Sequence, residues 1–242
     1  MRIIRRVLGA VSNQVRMMKG LLFHSRFISP ELEREIVDQF HMLYYDSRMF
    51  GKTWVDTTFL GTKVEKCPLD LWIYQEIIHE IRPEIIVECG TFLGGGALYL
   101  ASICDLLNHG QVVTIDILDR KDKPQHSRIE YLLGSSTSPE IVEKVRARVQ
   151  GKSPVLIILD SDHKKAHVLN ELNIYGEMVT KGSYLIVEDS NINGHPVRPG
   201  YGPGPMEAID EYLRNNTSYV VDKTKEKFYL TFNPKGYLRR VK

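Results

Sequence analysis

The densest hydrophobic runs in the chain are Val155-Leu156-Ile157-Ile158-Leu159 and Tyr184-Leu185-Ile186-Val187. Each ends abruptly in polar and acidic residues, Asp160-Ser161-Asp162-His163 after the first and Glu188-Asp189 after the second. Short, uninterrupted aliphatic runs predict strands buried on both faces, as in a parallel sheet. The stretch between them, Lys164 to Lys181, is long enough for a crossover helix, so the two runs form one βαβ unit. Glu84–Glu88, Gln111–Asp116 and Arg128–Leu133 read as further core strands. Tyr219–Val221 and Phe228–Thr231 read as an antiparallel hairpin at the sheet edge. Helical spacing covers Leu71–Ile81, stopped by Arg82-Pro83, then Ala97–Leu107, Pro139 to about Val149, and Met206–Leu213. Ser29-Pro30-Glu31 opens an earlier helix, with a hydroxyl cap, Pro in the first turn and acid near the positive end, running to about Tyr45. This alternation predicts an α/β fold: a mostly parallel seven-stranded sheet, helices on both faces and an N-terminal helical extension.

Residues 2–23 carry Ile4, Val7, Leu8, Val11, Val15, Met18, Leu21 and Leu22 at helical spacing, with Arg2, Arg5, Arg6, Arg16 and Lys19 mostly outside that stripe. Such a basic amphipathic helix suits packing on the domain or on a second copy of the chain. It also suits peripheral contact with an anionic membrane surface. At 242 residues the chain holds one sizeable α/β domain, read as residues 67–242, preceded by an extension and substrate-side loop over 1–66. A net charge of +2 gives no case for nucleic-acid binding. No apolar run approaches the roughly 20 residues of a membrane span, and Arg16 and Lys19 interrupt what a signal peptide keeps apolar. Cys67, Cys89 and Cys104 have no CxxC spacing and read as buried, reduced thiols of a cytoplasmic protein, with the inner face of the membrane as a peripheral location.

The candidate chemistry lies at the strand ends. Parallel neighbours carry their carboxyl ends to one edge, where open α/β sheets bind ligands. Asp160, Glu188 and Asp189 crowded there repel one another unless a cation lies between them. An oxygen-only ligand set points to a hard ion such as Mg2+, with no Cys/His cluster to suggest zinc. His163, three residues after Asp160, is the candidate general base, and Lys164 competes with it. Glu88-Cys89-Gly90-Thr91-Phe92-Leu93-Gly94-Gly95-Gly96 makes a strand, glycine turn and helix start, the architecture of a nucleotide-cofactor site. Its spacing is not the dinucleotide G-x-G-x-x-G. Asp116, closing the next strand, is placed to grip ribose hydroxyls. Together these lean towards S-adenosylmethionine, with Glu88, Gly90, Thr91, Gly94, Gly95, Asp116 and Asp160 as contacts. Ser135 and Ser136 either meet an adenine edge or cap the following helix. The loops 46–66 and 190–205, the latter bearing His195, Arg198 and Tyr201, are placed to select the substrate.

Pro68-Leu69-Asp70-Leu71-Trp72, the Glu88–Gly96 turn, Leu159–His163, Val187-Glu188-Asp189-Ser190-Asn191-Ile192-Asn193-Gly194-His195-Pro196, Gly202–Pro205 and Asn233–Arg240 together resemble the cephalosporin hydroxylase/rhamnosyl O-methyltransferase family, from about Thr53 to the end. The resemblance implies a Rossmann-like class I methyltransferase that uses S-adenosylmethionine. It implies Mg2+ at Asp160, Glu188 and Asp189, and a base at His163. It implies a hydroxyl acceptor on a sugar, glycolipid or antibiotic-type molecule, small or lipid-linked, and a homo-oligomer. Two other readings are a nicotinamide-dependent oxidoreductase, which the glycine spacing argues against, and a non-catalytic cofactor-binding partner in a natural-product or polysaccharide pathway.

Overall fold

The computed structural model describes residues 29–242; the basic stripe over 2–23 lies outside them. The chain divides into two units, one ending at Phe40 and the other spanning His41–Lys242. Helix α1 (Pro30–Asp46) starts where the cap predicts: Ser29 Oγ accepts from Leu32 N at 3.2 Å, and Glu31 and Glu33 occupy the first turn.

After two short 3-10 turns, β1 (Thr58–Phe59) and β2 (Thr62–Lys63) form a two-stranded hairpin, so the 46–66 region carries more local order than its aperiodic sequence suggests. Helix α2 (Pro68–Ile81) begins three residues before the hydrophobic spacing does, because Pro68 is suited to the first helical position. It stops as Arg82 turns left-handed (φ 46°) before Pro83.

The main sheet contains β3 (Ile85–Cys89), β4 (Gln111–Asp116), β5 (Ile129–Leu133), β6 (Val155–Leu159), β7 (Tyr184–Val187), β8 (Tyr219–Val221) and β9 (Tyr237–Arg240), in the spatial order β5-β4-β3-β6-β7-β9-β8. All neighbours are parallel except those of β9, which runs antiparallel to both β7 and β8. Every residue of β3, β6 and β7 is buried, as the unbroken aliphatic runs require. One face is covered by α2 and α3 (Gly95–Leu106), through Ile73, Ile77, Ala97 and Leu100. The other is covered by α4 (Pro139–Val149), α5 (Lys165–Tyr175) and α6 (Pro205–Asn215), through Ile141, Val145, Leu172 and Ile209. Each fully buried side chain of this kind stabilises the fold by about 1.5–3 kcal/mol.

One strand assignment needs correcting. Phe228–Thr231 does not pair with β8; Tyr237–Arg240 does, and it also wedges between β8 and β7. Burial decides the matter, since Tyr237 and Leu238 are wholly enclosed. Thr231 and Phe232 are instead held by the Asp70 carboxylate, which accepts from Thr231 Oγ1 at 2.5 Å, Phe232 N at 2.8 Å and Tyr237 Oη at 2.9 Å. The three cysteines are buried and free.

Candidate active site

Sheet register places the chemistry. Cys89 pairs with Ile115 on one side and Leu159 on the other, and Leu159 pairs with Val187. The residues that follow, Gly90, Asp116, Asp160 and Glu188, therefore emerge at one edge. The ladder continues just past it: Asp160 N donates to Cys89 O at 2.7 Å and Glu188 N to Leu159 O at 2.9 Å.

A cavity of about 480 Å³ opens along this edge. Of the residues predicted from sequence, Gly90, Asp116, Ser135, Ser136, Asp160, His163 and Asp189 line it. Glu88, Thr91, Gly94, Gly95 and Glu188 are not among its lining residues. Glu88 is 1% exposed and accepts from Thr114 Oγ1 at 2.7 Å, and burial pushes its carboxyl up to about 7. Thr91 shares a 2.7 Å hydrogen bond with the Thr114 hydroxyl.

The glycine turn is tight because of the protein itself. Gly90 has φ +104°, and a Cβ there would lie 1.9 Å from the Asp160 carbonyl oxygen; at Gly95 it would lie 2.2 Å from that of Lys63. Neighbouring backbone alone therefore requires glycine at these two positions. Asp116 braces the turn, Oδ2 accepting from Phe92 N at 2.8 Å and Oδ1 from Leu118 N at 2.9 Å, and each oxygen retains a lone pair for the cavity. The cap of α4 is Ser138 rather than Ser135 or Ser136, its side chain accepting from Ile141 N. Ser136 donates its hydroxyl to Glu171, which also accepts from Ser161 at 2.7 Å.

Glu188 and Asp189, adjacent in the chain, face different partners. Lys66, 6% exposed, sets its Nζ against the Asp160 carboxylate and 2.6 Å from Glu188 Oε1. Burial pulls the Lys66 ammonium down, but Asp160, Glu188 and Glu88 outweigh it and hold it well above the ordinary lysine range. Glu188 thus faces inward to a lysine. Asp189 turns the other way, helped by a left-handed backbone (φ 54°), and its Oδ2 lies 3.1 Å from His163 Nε2. Burial pushes the Asp189 carboxyl up while His163 pulls it down. One ligand atom each from Asp160, His163 and Asp189 fall within 4.8 Å of one another. Lys164, the competing base, is directed elsewhere, with its Nζ 4.0 Å from the centre of the Tyr201 ring and outside the cavity lining. His195 is likewise engaged, 2.9 Å from Glu207 at the start of α6.

A family model for "Rhamnosyl O-methyltransferase/CmcI" matches residues 51–241. The chain belongs to the rhamnosyl O-methyltransferase/CmcI family. That places it among O-methyltransferases. Curated relatives include the rhamnosyl O-methyltransferase of Mycobacterium bovis, 38% identical over 213 residues and covering 85% of each chain. Another is that of Mycobacterium leprae, 39% identical over 215 residues, covering 85% of this chain and 90% of the relative. Among solved structures, a CmcI with Mg and SAM superposes with a TM-score of 0.63 at 21% identity over 78% of both chains, which supports the fold.

Several residues in or beside the cavity carry little signal in the sequence. Lys66 gives no signal, being one lysine among several before a helix. Arg48, Glu65 and Arg120 line the cavity from segments without periodic pattern, and Tyr45 lines it from the last turn of α1. Glu171 was findable: it is a charge on the α5 face that also carries Val168, Leu172 and Tyr175, and it is 0% exposed.

Proposed function

We propose that this chain transfers a methyl group from S-adenosylmethionine to a hydroxyl of a sugar, free or lipid-linked, with Mg2+ at the strand ends. The observation that carries the reading is the meeting of His163, Asp160 and Asp189 in the cavity that Gly90, Asp116, Ser135 and Ser136 also line. The donor set fits magnesium: two carboxylates on an open cavity are what this ion takes from a protein, keeping its other positions for water or substrate. Asp160 and Asp189 would hold it, with Lys66 competing for Asp160. Glu188 would join only by leaving Lys66.

When bound there, magnesium lowers the proton affinity of an alcohol oxygen placed against it. His163 takes the proton, and the nearby Asp189 carboxylate stabilises the imidazolium that results. The freed electron pair on oxygen forms the new bond to the methyl carbon as the carbon–sulfur bond breaks, leaving a neutral thioether. Gly90 and Asp116 position the nucleoside and methionine parts, and Trp54 and Tyr45 close the acceptor side. The catalytic domain is taken as 67–242 and the extension as 1–66. Peripheral membrane contact and self-association through 2–23 lie outside the described residues. Among the described residues no helix is long and apolar enough to cross a membrane.

The test is calorimetric titration with S-adenosylmethionine and with NAD, followed by mass spectrometry of a rhamnoside incubated with methyl-labelled cofactor. Binding of the first alone, and a labelled methyl ether that disappears in chelator and returns with magnesium, is expected. Tight NAD binding, or full turnover in chelator, refutes the reading.

A further inference from the structure

The cavity carries a second charge pattern, opposite in sign to the first. Arg48 and Arg198 both line it, and both flank Tyr45. The Arg48 guanidinium lies over the Tyr45 ring, 5.0 Å from its centre, and its Nε is buried with no hydrogen-bond partner. Arg198 stacks on Tyr201 at 4.6 Å, and its positive charge pulls the Tyr45 hydroxyl down against the upward push of burial. Among the described residues neither arginine forms an ion pair, whereas Arg128, Arg146 and Arg148 all do. Tyr45 itself is fixed, 4% exposed and stacked on Trp54 at 5.2 Å.

Two guanidiniums lining one concave site, each stacked on its own tyrosine, repel each other, and a stacked arginine keeps its fork of N–H donors free for a planar or tetrahedral oxyanion. We infer that Tyr45, Arg48 and Arg198 form an anion subsite for the methyl acceptor, so that the accepted sugar carries a phosphate or carboxylate group beside the hydroxyl that is methylated. The subsite lies on the same side of the cavity as Asp189 and His163; Arg198 is close enough to Asp189 to pull its carboxyl down. Holding the anionic group there turns the acceptor hydroxyl towards His163. This assignment rests on the methyltransferase reading and adds the acceptor's charge to it.

The experiment uses the full chain with S-adenosylhomocysteine bound. Rhamnose 1-phosphate, galacturonic acid and methyl rhamnoside serve as probes, titrated by calorimetry at low salt, with and without chelator. At least tenfold tighter binding of an anionic probe than of methyl rhamnoside is expected, with that advantage lost in Arg48→Gln and Arg198→Gln. The phosphate and carboxylate probes distinguish the two forms of the anion. Equal binding of charged and neutral sugars overturns the proposal. So does a preference that persists in both variants, or one that vanishes in chelator, because the anion then belongs to a metal ion. The variants must bind S-adenosylhomocysteine within about twofold of the parent chain. Failure of the parent chain to bind it sinks the methyltransferase reading instead, which keeps the two failures apart.

Discussion

Lys66→Met should destabilise the protein strongly. Lys66 is 6% exposed, its ammonium contacts Asp160 and lies 2.6 Å from Glu188, and Glu88 adds a third nearby negative charge. Methionine keeps the length and apolar stem of lysine and removes only the charge. Removing one partner of a buried ion pair costs about 3–5 kcal/mol, because the stranded carboxylates remain desolvated. A domain of this size loses about 2–4 °C of Tm per kcal/mol, so the melting temperature in chelator should fall by about 6–20 °C. Added magnesium replaces the missing positive charge and should raise the melting temperature of the variant more than that of the parent. Lys66→Met combined with Glu188→Gln removes one stranded charge and should recover part of the loss. Scanning calorimetry on the parent and both variants, with and without magnesium, reads all of this. A single variant melting within about 2 °C of the parent in chelator would show that the lysine does not neutralise these acids.

Three further outcomes follow from the site and its supports. His163→Ala should lower kcat at least about 100-fold while leaving S-adenosylmethionine affinity unchanged; an unaltered rate in a steady-state assay moves the base elsewhere. Gly90→Ala places a Cβ 1.9 Å from the Asp160 carbonyl oxygen in a backbone with φ +104°. A loss of at least about 3 kcal/mol in urea unfolding is expected, and a normally stable variant would contradict the close approach. His41 is 4% exposed beside Asn191, and burial lowers its pKa from 6.5 to about 4. The unfolded chain therefore binds the proton first, so this stability is complete above pH 6.5 and is lost as pH falls towards 4. Between pH 8 and 5 the loss is about 2 kcal/mol, and His41→Gln should flatten that part of the urea-midpoint profile; an unchanged slope refutes the assignment.

What was legible in the chain and what was not have separate physical origins. Strands buried on both faces must be apolar throughout, so Val155–Leu159 and Tyr184–Val187 declare themselves, and parallel register then carries Asp160 and Glu188 to one edge. The strand at Tyr237–Arg240 was missed because its neighbour Phe228–Thr231 looks equally extended. The choice between them depends on Asp70, about 160 residues away, capturing Thr231 and Phe232. The same limit applies to the acids. Local sequence puts three carboxylates near one another, but the direction each faces is set by partners from distant segments. Lys66 draws Glu188 inward, and a left-handed residue at Asp189 turns that carboxylate out to His163. Two adjacent acids in the chain, Glu188 and Asp189, thereby take different work: one neutralises a buried lysine and the other faces the cavity. Both acids reach one ion only if Glu188 leaves Lys66. The magnesium dependence of the Lys66→Met melting temperature measures how far that sharing goes.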